Sequence, residues 1–245
     1  MFNVKDITPQ LITWLKEYFE KNATADTKAV IGISGGKDSS IAAALCVAAL
    51  GKARVFGVLM PQGNQADIDV SYDLCRTLGI DFIEINIGEP VAKLYAEIEK
   101  SGQSLNTIAT FNTPARIRMT TLYAVSAIVG GRVINTCNLS EDWVGYSTKF
   151  GDSAGDVSPF SLLTMSEVKA VGRELNLPDR FIDKIPIDGL CGKSDEENLG
   201  FTYEVLDKYI RTGICKDEDI KAKIDRLHGL NRHKVLAMPH FEPPF

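Results

Sequence analysis

The residues best suited to chemistry stand in one short run, Gly32-Ile33-Ser34-Gly35-Gly36-Lys37-Asp38-Ser39-Ser40. Glycines here let backbone N–H groups close around a phosphate, and Ser34 and Ser39 add hydroxyl donors. A helix starting at this point turns the positive end of its dipole toward the same anion. An acid in that first turn repels an anion, so Asp38 makes sense if it holds a Mg2+ that bridges to the phosphates. The run lacks the Gly-x-x-x-x-Gly-Lys-Ser/Thr spacing of a Walker loop and the Gly-x-Gly-x-x-Gly of a dinucleotide fingerprint. The plainer alternative is a capped strand-to-helix turn with Asp38 as an ordinary first-turn acid.

Such a loop needs a strand before it and a helix behind it, and the flanking pattern supplies both. Residues 29–33 are a short apolar run of strand type. Residues 38–50, rich in Ala and Leu, read as a buried helix stopped by Gly51. The unit then repeats: strands over 55–60, 81–87 and 132–135 alternate with helices over 67–78, 90–100 and 114–129, the last capped by Asn112. Strands alternating with helices predict parallel βαβ units and a doubly wound α/β sheet. Ahead of it, Thr8 and Pro9 suit a helix start, with Leu11, Ile12, Leu15, Tyr18 and Phe19 at helical spacing. Behind it, residues 145–156 read as a mobile, polar, functional loop. Thr164 to Glu167 is a capping box opening a helix, and 203–210 and 216–230 read as amphipathic helices. One domain over 1–245 is expected, with a core over about 25–190 and a helical C-terminal part over about 195–235.

Composition narrows the class. Of 245 residues, 44% are apolar and 24% charged, ordinary usage for a soluble globular chain. Lys and Arg number 27 against 32 Asp and Glu, a net charge of −5. A nucleic-acid binder carries a basic field, so this balance speaks against nucleic acid as a partner. The longest apolar run, 41–51, is too short for a membrane span, and the N-terminus shows no secretory signal. A cytoplasmic protein is expected. Cys46, Cys75, Cys137, Cys191 and Cys215 are scattered, with no Cys-x-x-Cys pair, and read as idle thiols in a reducing compartment.

The hexamer from Ser34 to Ser39 resembles the pyrophosphate-binding loop of the N-type ATP pyrophosphatases. Further segments resemble one branch of them, the NAD synthetases. These are Asn112-Thr113-Pro114-Ala115-Arg116-Ile117-Arg118-Met119, Ile134 to Glu141, Gly145 to Asp152 followed by Asp156 and Pro159, Asp195 to Gly200 with Tyr203, and His233-Lys234. They stand in family order. The resemblance implies an adenine nucleotide alpha hydrolase-like fold and a ligase of the ammonia-using kind. ATP would adenylate the nicotinate carboxylate of deamido-NAD with release of pyrophosphate, and ammonia would displace AMP. By the same resemblance Gly32, Ile33, Ser34, Gly35, Gly36, Lys37, Asp38, Ser39 and Thr136 contact ATP, and Asp38 and Glu141 hold Mg2+. Arg116, Lys149, Asp156, His233 and Lys234 bind deamido-NAD, the last two from a neighbouring subunit, and Asp38 and Lys149 serve catalysis. A homodimer around the long helix at 114–129 is implied. Ammonia would come free or from a separate glutaminase subunit.

Two alternatives stay open: a sulfur-transfer or tRNA-modifying enzyme on the same loop, and a nucleotide-binding relative with reduced or no catalysis. The second draws support from departures. Met165 stands where the family has an ATP-contacting lysine, Ile187 where it has Ser or Thr, and Asn135 where it has Gly. Taking a charged partner away from a phosphate in a dry site costs about 2–4 kcal/mol. Lys37, Lys169, Lys184 and Lys193 are the candidates to replace it. If the side chain at 165 faces the crevice, a lysine restored there strengthens ATP use.

Overall fold

The computed structural model describes residues 2–184 and 194–244. Ile187 and Lys193 lie outside the described residues. Four parallel strands, β1 (Lys28–Gly32), β2 (Val55–Leu59), β3 (Asp81–Glu84) and β4 (Gly131–Val133), pair in the order β3-β2-β1-β4. Ala29 pairs with Val55 on one side of β1 and with Arg132 on the other. The expected doubly wound parallel sheet is present. β1 is central and its Ala29, Val30 and Ile31 are fully buried. Because side chains alternate along a strand, Ala29 and Ile31 enter one apolar cluster while Val30 enters another.

The first cluster joins α1 (Val4–Asn22), α2 (Lys37–Leu50), α7 (Met165–Glu174) and α8 (Asp179–Ile182) to that face through Leu15, Phe19, Ile41, Leu45, Val168 and Phe181. Covered from Ile41 to Cys46, α2 is apolar all round, as a fully buried helix must be. On the other face, α4 (Gly88–Lys100) and α5 (Thr107–Val129) bring Val91, Met119, Leu122 and Val125 onto Val30, Val58 and Val133. α3 (Ile68–Leu78) ends at Gly79, whose φ of 63° suits a left-handed stop. A third cluster packs α9 (Asp195–Leu199), α10 (Tyr203–Thr212) and α11 (Glu218–Asn231) against α6 (Leu139–Val144).

Several boundaries differ from expectation. α1 starts at Val4, where the Asn3 side chain accepts from the Lys5 N–H. Thr8 is buried inside it and Pro9 lies within the helix. α5 is longer than 114–129 and is capped by Asn106, which accepts from Ala109 N at 2.9 Å. Pro114 sits within it, and its missing N–H leaves the Thr110 carbonyl without a helical donor. The Tyr95 hydroxyl donates to that carbonyl at 2.9 Å, which is how the helix tolerates the proline. β3 is shorter than 81–87, although Ile85 N and Ile87 N still bond to the Leu59 and Pro61 carbonyls, and β4 ends at Val133, before the loop that carries Thr136 and Cys137.

The polar segment 145–156 is tied down from several sides. Its own bonds run from Thr148 N to Asp152 Oδ1 and from Ser153 Oγ to the Thr148 carbonyl. Asn135 Nδ2 donates to the carbonyls of Asp152 and Ala154, so the residue that replaces the family's glycine stitches this loop to the end of β4.

Met165 does not face the crevice. It is 3% exposed and packs with Val144, Leu199, Leu206 and Ile224, while its N–H donates to Ser140 Oγ at 3.0 Å. The expectation of an ATP gain from a lysine there is therefore overturned by the packing of the third cluster. Met165→Lys would bury an ammonium among apolar groups, a cost on the order of 3 kcal/mol. Its melting temperature should fall by several degrees with no tightening of ATP binding, as scanning calorimetry and nucleotide titration would show.

Candidate functional site

β1 ends at Gly32 and the chain turns through Ser34-Gly35-Gly36 into α2. Gly35 takes φ +77°, a conformation that a side chain would strain, and a Cβ there would also meet Ser71 Oγ at 3.0 Å and Lys184 Nζ at 3.3 Å. The turn is braced internally. Ser34 Oγ and Ser39 Oγ lie 3.1 Å apart, Gly36 N donates to Ser34 Oγ, and Ser39 and Ser40 hydroxyls donate to the Gly36 carbonyl. Gly36, the N-cap of α2, has no side chain to cap the helix. The first-turn N–H groups are thus available to an anion.

This turn forms one wall of a pocket of about 230 Å3. Ser34, Gly36, Lys37, Asp38 and Ser39 come from the turn and α2, Thr136 and Cys137 from the loop after β4, Glu141 and Tyr146 from α6 and its end, and Asp152 and Asp195 complete it. The parallel sheet explains the meeting, since both loops leave carboxyl ends of neighbouring strands.

Asn138 organises the acids. Its Oδ1 accepts from the N–H groups of Ser140 and Glu141, at 3.0 and 3.1 Å, capping α6, and its Nδ2 donates to Asp38 Oδ1 at 3.1 Å. The Glu141 side chain returns to the Asn138 N–H, completing a capping box. Lys37 Nζ lies 3.2 Å from Asp38 Oδ2. Burial first, and then the charge of Asp38, push the Glu141 carboxyl well above the usual carboxylate range, against the pull of Lys37. Burial also raises Asp195 and Asp152. For Lys37, burial works against the charge, yet Asp38, Glu141 and Asp195 together leave its pKa above the ordinary lysine value. Burial and the surrounding carboxylates push the Cys137 thiol well up, which disfavours the thiolate.

Asp38 and Glu141 are hard oxygen donors on one pocket. Among the described residues no group of three His, Cys, Asp or Glu forms a ready metal cage. Two carboxylates that leave the remaining positions to phosphate oxygens and water match the way Mg2+ is usually held.

Of the expected nucleotide residues, Ser34, Gly36, Lys37, Asp38, Ser39 and Thr136 line the pocket, while Gly32, Ile33 and Gly35 do not, Ile33 lying within the core. The other expected group lies outside the pocket and is bonded within the chain. Arg116 Nε donates to the Lys149 carbonyl, and Lys149 Nζ donates to the His233 carbonyl at 2.7 Å. Lys234 Nζ donates to the carbonyls of Gly145 and Ser147 at 2.7 and 3.0 Å. Asp156 accepts from Val133 N at 2.7 Å and from the Tyr123 hydroxyl at 3.3 Å, and its carbonyl accepts from the Tyr18 hydroxyl.

Of the candidate replacement cations, Lys37 is in the pocket and Lys184 lies beside Gly35, paired with Asp67 at 2.5 Å. Lys169 is paired with Asp183. Sequence reasoning gave no role to Asn138, Asp152 or Asp195. For Asn138 the signal was present, an Asn followed three residues later by Glu.

Residues 7–241 match the NAD synthase family. An NH3-dependent NAD+ synthetase of Alkaliphilus metalliredigens is 33% identical, over 94% of this chain and 95% of its own. Among solved structures, NMN synthetase from Francisella tularensis superposes with a TM-score of 0.88 at 29% identity, covering 100% of both chains. NH3-dependent NAD synthetase from Campylobacter jejuni superposes with a TM-score of 0.78 at 30% identity, covering 99% of this chain and 100% of that one. The likeness to a glutamine-dependent NAD+ synthetase from Acinetobacter baumannii, 24% identical with a TM-score of 0.70, is one of fold; it covers 98% of this chain and 47% of that longer one.

The site's electrostatics set a pH dependence. Burial first, then the nearby Asp152, push the Asp142 carboxyl up to about 6. Between its unfolded value near 4 and that folded value, the native chain holds the proton more tightly, so stability falls as pH rises through the window. Asp142→Asn should remove this slope. It should gain about 1–2 kcal/mol at pH 7.5, allowing for partial exposure, and nothing at pH 3.5. Denaturant unfolding at the two pH values measures it.

Proposed function

The chain belongs to the NAD synthase family, and on that footing we propose that it is a ligase that amidates deamido-NAD to NAD with ATP and ammonia, through an adenylated intermediate. The observation that carries this reading is the Asn138 bridge, which holds Asp38 and Glu141 together opposite an uncapped, glycine-turned helix start. The triphosphate seats on the first-turn N–H groups of α2 and the hydroxyls of Ser34 and Ser39, with Thr136 on the facing loop. Asp38 and Glu141 would hold Mg2+, which when bound supplies charge neutralisation to the triphosphate.

The site then has to place the nicotinate carboxylate in line with the α-phosphorus. Attack by a carboxylate oxygen breaks the α–β phosphoanhydride bond and pyrophosphate leaves. Ammonia next attacks the acyl carbon, the bond to AMP breaks, and a proton is lost. In this reading Arg116 and Lys149 meet the substrate's phosphates, Lys149 giving up the His233 carbonyl as it does so, and Asp156, His233 and Lys234 contact the same substrate.

The whole of 1–245 acts as one synthetase domain in this reading, working in the cytoplasm. No helix among the described residues is long and apolar enough to cross a membrane. α5 presents exposed Ile108, Phe111 and Tyr123 on one side, an apolar face suited to a second copy of the chain. Free ammonia is the nitrogen donor proposed. The match to the NAD synthase family over residues 7–241 speaks against the sulfur-transfer alternative; Cys46, Cys75 and Cys137 are buried, and burial raises their thiols.

A second reading concerns the acid substrate. The full-length superposition on an NMN synthetase favours nicotinate mononucleotide.

Incubation with ATP, Mg2+, ammonium and each acid in turn tests both readings. AMP should appear in step with the amide, and the ratio of kcat/KM for the two acids identifies the substrate. No AMP with either acid overturns the ligase reading. Asp38→Asn keeps shape and helix-start preference but loses charge. Turnover should drop at least about 100-fold, with the melting temperature within a few degrees of the parent; near-parental turnover would remove Asp38 from the mechanism.

A further inference from the structure

Lys37 is out of place by ordinary rules. It opens α2, where the helix dipole disfavours a cation, and it is 5% exposed, which lysines seldom are unless paired. Adjacent residues on a helix do not face one another, so the 3.2 Å contact with Asp38 is not imposed by helix geometry. The side chain curls back over the helix start, with Nζ 5.7 Å from the centroid of the Tyr203 ring. Glu141 and Asp195 also act on it. The ammonium thus lines the same pocket as the acids Asp38, Glu141 and Asp195 and the turn residues Ser34, Gly36 and Ser39, on a stem of four rotatable carbons.

Resting on the ATP reading above, we propose that Lys37 is an exchangeable internal cation. Without nucleotide it neutralises Asp38 and its neighbours. When a divalent cation takes the carboxylates, the ammonium turns to the phosphate oxygens of the nucleotide. The pocket thereby avoids an uncompensated cluster of acids in one state and keeps a positive charge on the phosphates in the other.

The proposal has a signature that a structural role lacks, because two affinities move in opposite directions. Lys37→Met keeps length and apolar bulk but removes the charge. Its affinity for Mn2+ alone, read by calorimetry or electron paramagnetic resonance, should rise roughly tenfold as the competing ammonium disappears. Its affinity for the α,β-methylene analogue of ATP with Mg2+ should fall about tenfold or more. Lys37→Arg, which keeps the charge, should hold both within about threefold. Mn2+ binding that is unchanged or weaker in Lys37→Met overturns the proposal, as does unchanged binding of the analogue. Should Lys37→Met fail to fold, Lys37→Gln is read by the same two measurements. If the parent protein itself does not bind the analogue, it is the ATP reading that fails.

Discussion

Two carboxylates have to be held side by side in a mostly buried pocket, and much of the site follows from how that repulsion is contained. Asp38 belongs to the helix after β1 and Glu141 to the helix after β4. One amide, Asn138, spans them, capping the second helix with its oxygen and reaching Asp38 with its nitrogen. Lys37 adds the counter-charge. Burial and the charge of Asp38 push the Glu141 carboxyl well above the usual carboxylate range, as expected where two acids share a buried pocket. A site that binds a divalent cation and a polyphosphate relieves this repulsion on binding.

The sheet makes the meeting possible. β1 and β4 are adjacent and parallel, so their following loops open at the same edge. Apolar layers on both faces of β1 fix that edge, and the alternation of Ala29, Val30 and Ile31 between two clusters leaves the strand no freedom to slip. The C-terminal helices attach through the third cluster, and attachment is reinforced by polar links. Asp207 accepts from the Ser140 hydroxyl and the Ser166 N–H, while Arg211 pairs with Glu167. These links bring Asp195 and Tyr203 to the pocket.

The departures from the family pattern are absorbed in two different ways. Asn135, in place of glycine, became a tether for the polar loop. Met165 belongs to the third apolar cluster, away from the pocket, while Lys37 is a cation that lines it.

By itself the sequence determined the strand–turn–helix at residues 28–50, the parallel alternation of strands and helices, and the family. Each of these is written in contiguous residues: glycines that only a tight turn requires, apolar runs of strand length, and motifs in order. Tertiary structure alone decided where side chains point. Nothing local showed that Met165 turns into a core, that Asn106 rather than Asn112 starts α5, or that Lys149 and Lys234 find carbonyl partners in distant segments. Asp195 likewise entered the pocket only through the packing of the last helices. The physical reason is that backbone preference acts within a few residues. The partner of a charge, by contrast, is set by what folding brings within a few ångströms of it, from anywhere along the chain.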